Sequence, residues 1–137
     1  MKARVFLLAM AAAGMAAPAS NAHHSFAMFE RGRTVTLSGT VKDYSWSSPH
    51  VIIQVLADSA KGGITTWTIE GSSPGVLARG GWTSTLLRPG DKISLGIHPR
   101  KDGMAGGLLA DERQLLVNGQ PPKGVLWLMP PEDVCNR

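Results

Sequence analysis

From Thr34 the chain alternates with period 2, with Val35, Leu37, Gly39 and Val41 on one face and Thr34, Thr36, Ser38 and Thr40 on the other. That alternation, rich in β-branched residues, predicts a half-buried strand running toward Trp46, where Ser47-Ser48-Pro49 breaks it. His50–Ala57 (HVIIQVLA) predicts a second strand and Ile64–Glu70 (ITTWTIE) a third. The turn residues of Asp58–Gly63 join the two as a hairpin. Ser73 suits an N-cap, Pro74 the first helical position and Gly80-Gly81 the stop, so Val76, Leu77 and Ala78 fill a short helix. Thr83–Leu87 reads as a further turn. Arg88-Pro89-Gly90-Asp91 turns the chain into a fourth strand, Lys92–His98 (KISLGIH). A Gly-rich loop over Pro99–Gly107 precedes a fifth, less regular strand, Leu108–Val117, which Asn118-Gly119 closes.

Five strands with one helix between the third and fourth is the order of a five-stranded barrel of the OB type. The expected class is therefore all-β: a small five-stranded OB-like barrel with one short helix. An open five-stranded sheet or a small sandwich satisfies the same pattern. Val35, Leu37, Val41, Ile53, Trp67, Ile69 and Leu95 are the expected core. Residues 118–137 carry Pro-Pro twice and Gly124, which predicts an extended C-terminal tail docked by Val125, Leu126 and Trp127.

The first 22 residues read as a signal peptide. Lys2 and Arg4 give a positive start, and Val5–Ala13 is an apolar run shorter than the roughly 20 residues a bilayer span needs. Gly14 and Pro18 break the helix, and Ser20-Asn21-Ala22 offers small residues for a cut before His23; Ala17-Pro18-Ala19 is the competing site. The expected organisation is a leader over 1–22, a single β-barrel domain over 23–117 and a tail over 118–137. That predicts a periplasmic protein, secreted across the inner membrane, with no stable membrane span after cleavage.

Composition sharpens this picture modestly. The formal charge of +4 falls to +2 once Lys2 and Arg4 leave with the leader. The remaining Lys and Arg are scattered, which argues against nucleic acid as a partner. Cys135 is the only cysteine, so no intramolecular disulfide can form.

One constellation carries chemistry. A cut after Ala22 gives His23 both a free α-amine and an imidazole, and His24 adds a second imidazole. These nitrogens suit Cu(II), Ni(II) and Zn(II), with copper favoured by the general affinity order. His50 follows Pro49 at the start of a strand, where its side chain is expected near a barrel mouth; His98, before Pro99, is a weaker candidate. Met104 and Met129 are soft thioethers suited to Cu(I). No catalytic constellation is present: Glu70 and Asp91 read as isolated carboxylates, and Ser72 and Ser73 as turn and cap residues.

Ala22-His23-His24-Ser25-Phe26 with Glu30, then Thr36–Val41, Trp46-Ser47-Ser48-Pro49-His50, Trp67–Glu70 with Ser73-Pro74, Arg79–Trp82 and Leu87–Asp91 together resemble a family of small exported bacterial proteins, domain of unknown function 6152. The resemblance covers residues 22 to about 117. The family pattern has Asn where this chain has Ser48, and Arg-Gly-Trp where this chain inserts Gly81. It implies location and fold, supplies no activity, and marks His23, His24 and His50 as pattern positions.

The functional expectation is an exported periplasmic binding module holding a transition metal, copper favoured, through His23, His24 and His50. The alternatives are a metal-free adaptor docking on an envelope protein and a copper oxidative enzyme. Processing is directly testable. Intact mass of the exported protein should match a chain beginning at His23, whereas a mass matching a Ser20 start would remove the His23 amine as a ligand.

Overall fold

The computed structural model describes residues 26–125. Five strands, β1 (Val35–Ser45), β2 (Ile52–Asp58), β3 (Ile64–Glu70), β4 (Lys92–Pro99) and β5 (Gly106–Val117), and one helix, α1 (Pro74–Arg79), follow in the order expected. The strands close into a barrel in the spatial order β1-β2-β3-β5-β4, so the all-β barrel is the fold and the open sheet is not. Neighbours are antiparallel except β3 and β5, which run parallel over Thr68–Glu70 against Gly106–Leu108. No helix among the described residues is long and apolar enough to cross a membrane.

Closure depends on β1 serving two neighbours. Its first half pairs with β4, from Val35↔Ile97 to Thr40↔Lys92, and its second half with β2, from Thr40↔Leu56 to Ser45↔Ile52. The changeover falls at Gly39 and Thr40. A β-carbon on Gly39 would strike the Leu56 carbonyl oxygen and come within 2.7 Å of Val55 Cγ1, so only glycine lets the two strands approach here. Just beyond, the register slips between Val41 and Asp43, with Lys42 as the extra residue. A bulge of this kind sharpens the bend and reverses which parity faces inward. Leu37 and Val41 point in before it; after it Tyr44 packs on the core and Asp43 is exposed.

The core gathers Leu37, Val41, Ile53, Val55, Ile69, Leu95, Ile97 and Leu115 from the five strands, with Leu77, Trp82 and Leu87 from the β3–β4 connection. Val35 and Trp67, expected inside, are half-buried and pack on the core's edge. Tyr44 donates its hydroxyl to the Thr83 carbonyl at 3.0 Å, and burial pushes its phenol above the ordinary value. Pro74 opens α1 as expected, but Ser73 caps only through its backbone: its carbonyl accepts from Val76 and Leu77 N–H, and its side chain makes no capping bond. Val125 is buried and Gly124 presses on Gly81, so the tail docks as far as it is described. Leu126 and Trp127 lie outside the described residues.

Gly39→Ala should therefore lower unfolding stability by about 2–3 kcal/mol, as overpacking against immovable backbone does. Gly32→Ala, where a β-carbon meets nothing within 4 Å, should stay within about 0.5 kcal/mol of wild type. Urea denaturation of the two variants makes the comparison.

Candidate functional site

His50 and Glu70 face each other across the open end of the β2–β3 hairpin. Ile52 pairs with Glu70 in the sheet, and beyond the last pair the strands stay tied: Gly71 N–H donates to the Val51 carbonyl at 2.7 Å and Val51 N–H to the Ser72 carbonyl at 3.1 Å. Both side chains thus stand on pinned backbone. His50 Nδ1 lies 3.1 Å from the Gly71 carbonyl oxygen. A carbonyl only accepts, so Nδ1 carries a hydrogen and Nε2 is the ring nitrogen turned toward Glu70. That Nε2 lies 3.4 Å from Glu70 Oε1. The side chains are 29% and 21% exposed, which leaves them reachable from solvent but partly desolvated. Glu70 has a further partner as well.

Glu70 also lines a cleft of about 300 Å³, together with Phe29, Ile52, Thr68, Arg100 and Met104. The segment preceding β1 forms one wall. A 3-10 turn over Phe26–Met28 leads into Phe29, which bridges to Arg100. Glu30 N–H donates to the Pro99 carbonyl and Lys101 N–H to the Met28 carbonyl, each at 2.9 Å. Phe29 is buried, whereas Phe26 remains 43% exposed with the Arg31 guanidinium 5.9 Å from its ring centre. One of the two phenylalanines therefore anchors the segment. Arg100 chelates Asp102, whose Oδ1 also accepts from Met104 N–H, and the Arg100 guanidinium holds that carboxyl down to about 2.

The remaining candidates are placed elsewhere or lie beyond the described residues. His98 Nδ1 meets the Arg33 carbonyl at 2.9 Å, tying down the start of β1 rather than joining His50. Met104 is 65% exposed, with Sδ 4.0 Å from an Arg100 nitrogen. His23, His24, Met129, Cys135 and the leader fall outside the described residues, among which no group of three or more His, Cys, Asp or Glu side chains gathers. A larger groove, about 480 Å³, runs past Ser38, Thr40, Leu56, Ile64 and Lys92. Along it Lys92 Nζ donates to Thr40 Oγ1 at 2.6 Å. Glu70, read from sequence as isolated, is the residue that reading missed. The signal was available: a hairpin sets the first residue of one strand beside the last of the next.

The chain belongs to a family of unknown function, DUF6152, whose model matches residues 10–111. No curated protein matches it. Among solved structures, the barrel is similar to the mitochondrial single-stranded DNA binding protein Rim1 of S. cerevisiae, at 9% identity and a TM-score of 0.44, over 62% of this chain and 93% of that one. The exclusion of nucleic acid drawn from the scattered Lys and Arg is corrected by this likeness and does not stand. At that TM-score the likeness argues nothing about what this chain binds.

The Arg100–Asp102 pairing sets a pH dependence for the 100–104 loop. Asp102 sits below its ordinary 3.8 in the folded chain, so its contribution is present above that value and is lost as pH falls through about 2. Amide exchange at Met104, whose N–H Asp102 accepts, should accelerate across that window, and Asp102→Asn should be fast already at neutral pH.

Proposed function

We propose that this family member is an exported, periplasmic, non-enzymatic binding module that holds a transition metal, copper favoured, through His23, His24 and His50. The orientation of His50 carries the reading. Its Nδ1–H is committed to the Gly71 carbonyl, which leaves Nε2 as the ring nitrogen a metal would use, in an accessible, partly desolvated corner. Metal-binding histidines are commonly set this way, with the second ring nitrogen fixed by a carbonyl or carboxylate.

The docking of Phe29 supports the involvement of the N-terminus. Phe29 lines the same cleft as Glu70, the partner of His50, and its N–H lies 3.4 Å from the Phe26 carbonyl oxygen. One residue, Ser25, separates His24 from Phe26, a reach of about 7 Å. A leader cut before His23 would therefore deliver an amine and two imidazoles to the neighbourhood of the cleft. The barrel alone offers too few ligands for tight binding, which makes the processed terminus a requirement of the reading.

Isothermal titration of Cu(II) into tagless exported protein tests it. Wild type should bind one equivalent, His50→Ala should bind about 10-fold or more weakly, and His98→Ala should match wild type. Equal affinity in wild type and the His50 variant would show that the terminus binds without the barrel. No binding by wild type would end the metal reading.

A further inference from the structure

We propose that the open edge of β3, from Ile64 to Thr66, is a self-association surface. A second copy of this chain adds its own β3 there, antiparallel and about a two-fold axis at Thr65, in a contact that involves none of the histidines named above.

The open edge follows from the parity of the β2–β3 ladder. The two strands pair without a slip from Ile52↔Glu70 to Asp58↔Ile64. At either end of β3 the odd residues bond toward β2: Gly71 N–H donates to the Val51 carbonyl, and the Gly63 carbonyl accepts from Ser59 N–H. The even residues therefore turn their N–H and C=O away from β2. Thr68 does so, donating to the Ala105 carbonyl at 3.3 Å, and Thr68–Glu70 meet Gly106–Leu108 in the parallel seam. Before Thr68 the seam has ended. Among the described residues nothing pairs with the outward backbone groups of Ile64 and Thr66, two donors and two acceptors. Native edges are usually barred to pairing by a charge, a proline or a bulge. Ile64–Ile69 (ITTWTI) carries none of these, and Ile64 is 71% exposed.

The spacing of those groups selects the occupant. Antiparallel strands exchange two hydrogen bonds at every second residue. With the axis at Thr65, Ile64 of each copy faces Thr66 of the other, and four hydrogen bonds satisfy every open group on both. The ends match as well. Opposite Thr68, where Ala105 already fills the strip beside β3, the register sets Gly62 of the other copy. Gly62 and Gly63, at φ of 89° and 80°, belong to the turn that carries the chain back to β2, on the far side of β3. The added strand thus leaves the strip where the strip closes, whereas a longer extended peptide running past Thr68 would meet Ala105. The two Ile64 side chains fall diagonally on one face, about 7–8 Å apart, within reach of apolar contact.

Three residues a side is far less than the roughly 800 Å² per partner of a stable complex, so the dimer is weak, with a dissociation constant on the order of 0.1 mM. The test uses tagless exported protein in EDTA, which excludes a metal bridge. Sedimentation equilibrium should show the average mass rising from one chain toward two between about 10 µM and 1 mM. Over that range the Ile64 and Thr66 amides, followed by hydrogen exchange in NMR spectra, should slow by about 3-fold or more, while the Trp67 amide, on the β2 side, stays constant. Thr66→Pro deletes one outward N–H and leaves the β2 ladder alone, and Ile64→Lys sets like charges on the diagonal; each should raise the dissociation constant by about 10-fold or more. A mass of one chain at 1 mM would overturn the proposal. So would a dimer that both variants form as wild type does, or one in which the two amides still exchange fast, because the contact would then lie elsewhere. Amides equally slow at every concentration would place the cover of this edge within one chain and overturn it too.

Discussion

The barrel exists because one strand bends far enough to be hydrogen-bonded on both sides by different partners. β1 meets β4 along its first half and β2 along its second, and Gly39 marks the handover, where a side chain would run into the Leu56 carbonyl. Everything else follows from that handover. With β1 bent, β2 and β4 become its two flanks, β3 extends β2, and β5 closes the gap with a three-residue parallel seam to β3. The seam places Gly106, at the end of the 100–105 loop, beside Thr68, and so sets that loop over the outer face of the hairpin whose open end holds His50 and Glu70.

The fold was largely legible in the pattern because each strand's alternation is a local property that survives packing. Ile53, Ile69 and Leu95 recur at the parity that buries them. Two features escaped for the same physical reason. The extra residue Lys42 shifts the parity of β1 midway, an event no local preference announces, since Lys-Asp-Tyr is compatible with either register. Likewise β5 slips against β4 on both sides of the Gly96–Asp111 pair, toward Ser94–Leu116 and toward Ile97–Leu109, which is why its sequence looks irregular.

The site was only half legible. His50 stood out because Pro49 precedes it and a strand follows, and the structure sets it beside the end of the β2–β3 hairpin, against Glu70. Its partner Glu70, twenty residues away in the chain, comes beside it through the hairpin's register, a consequence of the predicted hairpin that the residues read one at a time did not show. Of the two phenylalanines before β1, the bridge to Arg100 and the bonds around Met28 and Glu30 select Phe29 and leave Phe26 on the surface. Such selection depends on where the β4–β5 loop runs, which no run of residues near the phenylalanines specifies.

The bent first strand has a kinetic corollary. Thr40 and Lys92, 52 residues apart, are neighbours on adjacent strands, so β1 cannot acquire its second flank until most of the chain is available. Closing a loop of that length is entropically slow to nucleate, and topologies dominated by distant pairings cross their folding barrier slowly. A chain emerging from its N-terminus can form the β1–β2–β3 meander early, but that sheet leaves Val35–Gly39 without a strand partner and its apolar face uncovered. Barrel formation is thus a late event in synthesis, and the interval before Lys92–Pro99 arrives is the one in which the exposed edge of β1 is open to pairing with another chain.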